Sequence, residues 1–326
     1  MALRLAALFA VALFAAGIGL LVGGTQLSVG QVAHALTHAQ EGGPVATIVW
    51  QLRLPRVCIA AVVGACLAVA GALLQGMLRN PIVDPYITGV SAGAATAIVL
   101  AVIAGVSPAI APSLGFVAGL ATAVFVAALA RRGSGIDVNR LILAGISLSA
   151  LFSAFLSLAL ARAQSENYAA SIVSWLAGSM AGRTWSDLLA ATPYVALGMI
   201  GAASVAPALN ALRVGDVRAR AVGVDVARAQ WVILGSSSLL AAASVALAGI
   251  VGFVGLIVPH VARRVVGSDA RPLLPACAFA GAALCILADA VARTIVAPGE
   301  LPIGVLLAFI GVPAFLYLYL NRERAA

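Results

Sequence analysis

No lysine occurs in this chain of 326 residues; all nineteen basic residues are arginine. That absence excludes a phosphate-binding Walker loop, which needs its lysine, and Schiff-base chemistry, which needs a side-chain amine. Charge of either sign is scarce. Only 9% of residues are charged and 63% are hydrophobic, with a mean hydropathy of +1.11, whereas soluble domains carry roughly 25% charged residues. The composition is that of an all-α integral membrane protein, and the length fits one membrane domain over 1–326 rather than several soluble ones. A formal charge of +8 would suggest nucleic acid in a soluble chain. Here it is expected to follow membrane orientation instead, so no nucleic-acid partner is expected. The four cysteines, Cys58, Cys66, Cys277 and Cys285, all fall in apolar runs and form no C-x-x-C. Metal binding is open to them, but small buried hydrophobes are the plainer reading.

What is present is a series of long apolar runs. A membrane-crossing helix needs about 20 apolar residues. Ten candidates are found at 3–22, 54–78, 89–106, 114–130, 141–161, 188–206, 230–248, 249–266, 272–293 and 302–320. The first is too long for the apolar core of a signal peptide and is read as an uncleaved span. If the N-terminus is inside, the inner segments hold Arg4, Arg79, Arg131, Arg132, Arg140, Arg213, Arg218, Arg220, Arg228, Arg263, Arg264, Arg271, Arg322 and Arg324. The outer segments hold Arg53, Arg56, Arg162, Arg183 and Arg293. Fourteen against five favours both termini inside and an even number of crossings.

Two stretches repeat. AVAGALLQGMLRNP (68–81) and ALAGIVGFVGLIVPH (246–260) both read A-x-A-G and place a proline ten residues after that glycine, Gly71 to Pro81 and Gly249 to Pro259. The copies begin five spans apart and so run in opposite directions, the pattern of an inverted repeat of spans 2–5 on spans 7–10. Gly249, Gly252, Gly255 and Pro259 predict a short, broken span, tolerated only where protein or a cavity covers it; close packing through small residues is the other reading. Ala60, Gly64 and Ala68 are read as packing.

Polar residues sit mostly between spans. In the outer segment, about 25–50, Ser28 and Gln31 have capping-box spacing and predict a short helix. His34 and His38 follow on it one turn apart; they can ligand a metal or haem iron, or form a solvated helix face. Residues 168–182 read as an outer-surface or re-entrant helix. Asp289 and Arg293 are a favourable i,i+4 pair. A proton-coupled carrier would want an unpaired buried carboxylate, and Asp289 is the sole candidate. The inner connection, about 210–229, predicts a stubby cationic helix over 217–222, capped by Asp216 and ended by Gly223, with Asp225 capping the next element. Such a protruding lever suits docking to a soluble partner.

These stretches carry a resemblance. QLRLPR, GALLQGMLRNPIVDPYITGVSAGA, NRLILAG, VALAGIVGFVGLIVPHVARR and ADAVARTIVAPGELPIGV, spread over residues 51 to about 313, resemble the membrane permease subunits of bacterial ATP-binding-cassette importers for iron chelates, haem and vitamin B12. The resemblance implies a homodimer of ten-span subunits in the bacterial inner membrane, with two cytoplasmic ATP-binding-cassette subunits and a periplasmic substrate-binding protein as partners. It implies no enzymatic site, metal or cofactor on this chain, with ATP held by the partner. It also implies docking of the binding protein at Arg53, Arg56 and Arg293, an inner gate at Asn80, Ile82, Val138 and Asn139, and ATPase coupling through Gly215, Asp216, Ala219 and Gly223. Val138 departs from the small hydroxyl residue of the compared relative. The competing expectation is an ion-coupled secondary transporter; a membrane-embedded enzyme lacks any evident nucleophile–base pair.

Overall fold

A computed structural model describes residues 1–38, 42–107, 110–133, 135–161, 173, 175–296 and 299–323. In chain order the helices are α1 (Ala2–Leu21), α2 (Val29–Thr37), α3 (Pro44–Thr47), α4 (Leu54–Leu78), α5 (Val90–Ile103), α6 (Ala111–Leu129), α7 (Val138–Ala161), α8 (Trp185–Arg213), α9 (Asp216–Ala221), α10 (Val226–Ala248), α11 (Val254–Val266), α12 (Ala270–Ala292) and α13 (Ile303–Glu323). A π-helical turn, Ile48–Arg53, joins α3 to α4, and a 3-10 turn, Pro85–Thr88, precedes α5. Each of the ten apolar runs contains a helix. Seven helical segments among the described residues are long and apolar enough to cross a membrane, the longest being Pro44–Leu78. The apolar helices Val90–Ile103 and Ile303–Leu316 are shorter, and α11 has 13 residues.

Helix α4 is the centre. It packs against α12, α10, α8 and α11, while α1 lies on α12 and α8 on α10. The α4–α12 contact is as close as two backbones allow: a Cβ on Gly64 would stand 2.0 Å from the Gly281 carbonyl, and one on Gly281 2.2 Å from that of Gly64. Ala60 and Ala68 are buried with Gly64, so this face is a packing face. Contacts also pair across the repeat. Helix α4 meets α12 as α10 meets α6, and α4 and α10 meet each other. The repeated stretches themselves touch, since a Cβ on Gly71 would stand 1.9 Å from the Gly255 carbonyl.

The two copies differ in backbone. Residues 68–78 stay helical, whereas α10 stops at Ala248 and α11 starts only at Val254, so the run 249–266 is broken and short, as its glycines indicated. Gly249 and Phe253 both take positive φ, 70° and 68°. A break at membrane depth must find partners within the protein, and this one does. The Ser179 N–H donates to Ala248 O at 2.8 Å, and the Tyr86 hydroxyl bridges both the N–H and the carbonyl of Val251.

Prolines raise the same demand, because each removes a donor from the helical ladder. Pro259 leaves Gly255 O without its i+4 donor, and the Gln75 amide donates to it instead at 3.0 Å. Gln75 also accepts from Arg263 Nη2 at 2.8 Å. At the other end of α4 the sequence placed a helix start near residue 54; the helix in fact continues back to Pro44. Pro55 accounts for the π turn between them. In i+5 bonding, shown by Leu54 N–H to Val49 O, the Trp50 carbonyl would look to the missing N–H of Pro55, and the Trp185 indole donates to it at 2.8 Å.

Side-chain contacts sort the helix ends into two groups. At one end Arg4 bonds Val265 O, Arg263 bonds Gln75, Arg213 bonds Ser268 O, Asn210 bonds Asp269, and Arg79 pairs with Asp216. The glycine-rich stretch after α6 joins them as a two-residue hairpin, β1 (Arg131–Arg132) on β2 (Gly135–Ile136), tied by Ile136 N–H to Gln230. At the opposite end Arg53 and Arg293 both bond carbonyls at the end of α1. Arg4, Arg79, Arg213 and Arg263, assigned inside, and Arg53 and Arg293, assigned outside, therefore fall on separate ends; Arg162 and Arg324 lie outside the described residues, as do 168–172 and 174.

Replacing Gln75 with leucine should lower stability by about 1–3 kcal/mol, the cost of stranding a buried carbonyl and the donor of Arg263. Thermal unfolding in detergent, compared with an exposed control substitution on α8, measures it.

Candidate functional site

The first candidate surface is the end carrying Arg53, Arg56 and Arg293. The packing of α1, α4 and α12 brings all three together, and Asp289 joins Arg56 to Arg293. Arg56 makes a forked contact with it, Nε at 3.1 Å from both carboxylate oxygens and Nη2 at 3.0 Å. Arg293 Nε reaches Asp289 at 3.1 Å, so the predicted i,i+4 pair is present. Other donors of the cluster are engaged by backbone. Arg293 Nη2 bonds Gly19 O at 3.1 Å, and Arg53 bonds the carbonyls of Leu20, Leu21 and Thr25. The last carbonyls of a helix lack intrahelical donors; these two arginines serve those of Gly19, Leu20 and Leu21, while Ile18 O accepts from the Val22 N–H. Arg53 and Arg293 are 5% and 6% exposed, so their guanidinium groups face inward. Arg56 reaches the surface, where Glu300 holds its Nη1 at 2.9 Å and is itself 40% exposed.

At the opposite end are the residues expected from the resemblance to form a gate and a coupling lever. Helix α4 ends on Arg79, whose left-handed backbone (φ 53°, ψ 30°) turns the chain out of the helix. Asn80 follows, accepting from the Ile82 N–H at 3.0 Å, and Ile82 is 44% exposed. Val138 packs partly on the core while Asn139 is exposed, both in the first turn of α7. Asp137 caps that turn. The N–H groups of Arg140 and Asn139 and the Arg132 guanidinium hold its carboxyl below the ordinary carboxylate range.

The lever is α9. It begins one residue earlier than the sequence indicated: Gly215, at φ 117°, is the cap, and Asp216 is the first helical residue. Its carboxylate thus faces Arg79, at 3.3 Å, and favours the positive helix start. Ala219 is buried, anchoring the lever to the body, while Val217 is 80% exposed. Gly223, at φ 84°, ends the helix, and Asp225 caps α10 through the Arg228 N–H.

Several participants escaped the sequence reading. Gln75 was a lone amide inside an apolar run; its signal was Pro259, which leaves a carbonyl in need of a donor. Tyr86 and Trp185 answer backbone groups far away in sequence, and nothing local announces them. Glu300 follows a Pro-Gly dipeptide in the sequence and gave no sign of facing Arg56. The Arg79–Asp216 contact, which joins the residue before the gate to the lever, was legible only as two charges in separate loops. Of the cysteines, Cys66, Cys277 and Cys285 are buried and Cys58 half-buried, all as free thiols.

Comparison with known proteins places this geometry. The hemin transport system permease protein HmuU of Yersinia pestis is 39% identical to the chain, with 84% of each covered. The cobalamin import system permease protein BtuC of Halobacterium salinarum is 38% identical, with 85% of this chain and 74% of the relative covered. Among solved structures, a metal-chelate type ABC transporter in an inward-facing conformation superposes with a TM-score of 0.89 at 35% identity, over 98% of this chain and all of that one. The family description "FecCD transport family" matches residues 8–321. The chain is a multi-pass membrane protein that belongs to the FecCD transport family.

Proposed function

We propose that this chain is the translocation subunit of an ATP-driven importer that moves a metal chelate, haem or a corrin from periplasm to cytoplasm. In this reading it works as a homodimer with both termini inside and ten crossings, α5, α11 and α13 included. The repeat of α4–α7 on α10–α13 supplies two related halves for alternating access. The chain does no covalent chemistry; two cytoplasmic ATPase subunits and a periplasmic binding protein complete the machine.

The observation that carries the reading is the Arg79–Asp216 contact. A lever with an exposed valine, Val217, is what a soluble motor subunit can grip. Its first residue is ion-paired to the last turn of α4, and Asn80 follows directly. Movement of α9 on ATP binding is thereby passed to the gate. An ion-coupled carrier fits less well, because Asp289 is fully occupied by Arg56 and Arg293.

At the outer end we assign docking to Arg56, with Arg53 and Arg293 as the residues that fix its platform. A carboxylate on the binding protein would take the place of Glu300. Contacts at such a rim act mainly on steering and orientation.

The deciding experiment reconstitutes the chain with its ATPase and binding protein and measures ATP hydrolysis with haem, a ferric siderophore and cobalamin. Stimulation by one of them supports the reading; uptake driven by an ion gradient without ATP overturns it. Reversing either Arg79 or Asp216 should reduce ligand-coupled transport by about 2–5-fold, as expected for an exposed pair of about 0.5–1 kcal/mol, and the double reversal Arg79→Asp with Asp216→Arg should recover most of it. In binding kinetics, Arg56→Glu should slow association of the binding protein, and Glu300→Gln should accelerate it. Both effects should shrink as salt rises.

A further inference from the structure

Three helices leave a groove at the arginine-rich end that transport does not use. Helices α8 and α12 touch each other, and both pack on α4. Where they part, a cavity of about 370 Å³ is walled by Ala202, Ala203 and Ala206 of α8 and by Leu274 and Ala278 of α12, with Val69 of α4 between them. The alanine walls leave the space unfilled. Ile200, Ala203 and Pro207 share one face of α8 by their spacing, and all three are exposed. The groove therefore opens sideways, where hydrocarbon lies, and not into the body. From Arg271 to Ala278, both lining it, the α12 wall rises about 10 Å at 1.5 Å per residue. That is long enough to take part of an acyl chain.

The mouth of the groove is charged. Arg271, exposed in the first turn of α12, is the one charged residue among those described as lining it. Among the described residues no ion pair holds its guanidinium. Asp269 lies near both Arg271 and Arg213, and the Arg271 N–H and the Asn210 amide hold its carboxyl below the ordinary carboxylate range. Those two donors reach its Oδ1 at 3.0 and 2.7 Å. One carboxylate against two guanidinium groups leaves positive charge in excess. Pro275 adds a second polar feature. It removes the donor that Arg271 O would meet one turn on, and among the described residues no side chain takes that place, unlike at Gly255 and Trp50. Arg271 thus offers a cation and an acceptor at the mouth of an apolar slot.

We propose that this groove holds one phospholipid with an anionic, hydroxyl-bearing headgroup, its acyl chain between α8 and α12 and its phosphate against Arg271. Basic pockets between membrane helices suit anionic headgroups, and a planar guanidinium matches phosphate oxygens in pairs. A headgroup hydroxyl can donate to Arg271 O. A zwitterionic lipid fits less well, because its ammonium would meet the positive mouth. Under the orientation proposed above, this end faces the cytoplasmic leaflet, where anionic lipids gather. Lipid seated here bridges two helices and so favours the folded chain by mass action. The site rests on the membrane-spanning helices and not on the transport reading. Its test involves neither ATPase nor binding protein, so its failure leaves that reading standing.

The test uses the full chain purified in detergent and native mass spectrometry, with dioleoyl phosphatidylglycerol, phosphatidylethanolamine or phosphatidylcholine added at equal concentration. One phosphatidylglycerol retained per chain is expected, bound about fivefold or more tightly than either zwitterionic lipid. Arg271→Gln should weaken this binding about fivefold, the effect of one basic residue at a lipid surface. Ala203→Phe fills an exposed position in the groove and should abolish the discrete bound species, while thermal unfolding without lipid stays unchanged. Arg131→Gln removes an exposed arginine of the hairpin at the same end and should change nothing. Equal retention of the three lipids by the unmodified chain overturns the proposal, as does undiminished phosphatidylglycerol binding when Arg271→Gln and Ala203→Phe are combined. Displacement of the lipid by soluble glycerol phosphate also overturns it, by making the phosphate alone the ligand. So does a fall in the dimer fraction on Ala203→Phe, which would make the groove a contact between copies.

Discussion

Backbone carbonyls deprived of their helical donors are the constraint around which this molecule is arranged. In hydrocarbon each such group costs several kcal/mol unless the protein itself supplies a partner. Pro259 creates one at Gly255, Pro55 creates one at Trp50, and the break between α10 and α11 creates several. The answers come from other helices: Gln75 from α4, Trp185 from the start of α8, and Tyr86 from the turn before α5. Each answer ties two elements at a defined depth. The irregular positions are thus what fix the relative placement of otherwise featureless apolar rods.

The glycines serve the same end from the steric side. Gln75 reaches Gly255 O only because α4 approaches α11 at Gly71, where a side chain would collide with that same carbonyl. The close contact and the hydrogen bond are two aspects of one junction. It joins the two stretches whose likeness in sequence first suggested an internal repeat.

The helices themselves were legible because hydrophobic runs of membrane length can do little else, and the capping signals at Ser28, Asp225 and Gly223 were local enough to be read directly. Two helix starts lie earlier than the sequence indicated. Pro55 looked like a start, but a π turn lets the helix continue back to Pro44, and Asp216 looked like a cap but is the first residue of α9. The break at Gly249 was announced by the glycines around it, and a positive φ there ends α10. The site was legible in its cast of residues and not in its wiring. Arg53, Arg56 and Arg293 could be picked out as charges at a membrane mouth, yet that Asp289 gathers two of them while α1 absorbs the third depends on how three distant helices pack. Asp216 and Arg79 show the same limit, being 137 residues apart and meeting only in the fold.

Arg79 combines two properties that elsewhere are kept apart. It is a non-glycine residue in the left-handed region, a conformation costing roughly 1–2 kcal/mol, and it is also the residue the lever holds by its charge. A tug on its side chain is therefore delivered to the one torsion in α4 already sitting uphill of its resting well. In the proposed coupling, a small load applied there would tip a loaded catch, whereas the same load anywhere along the preceding twenty-five residues would have to bend a rod.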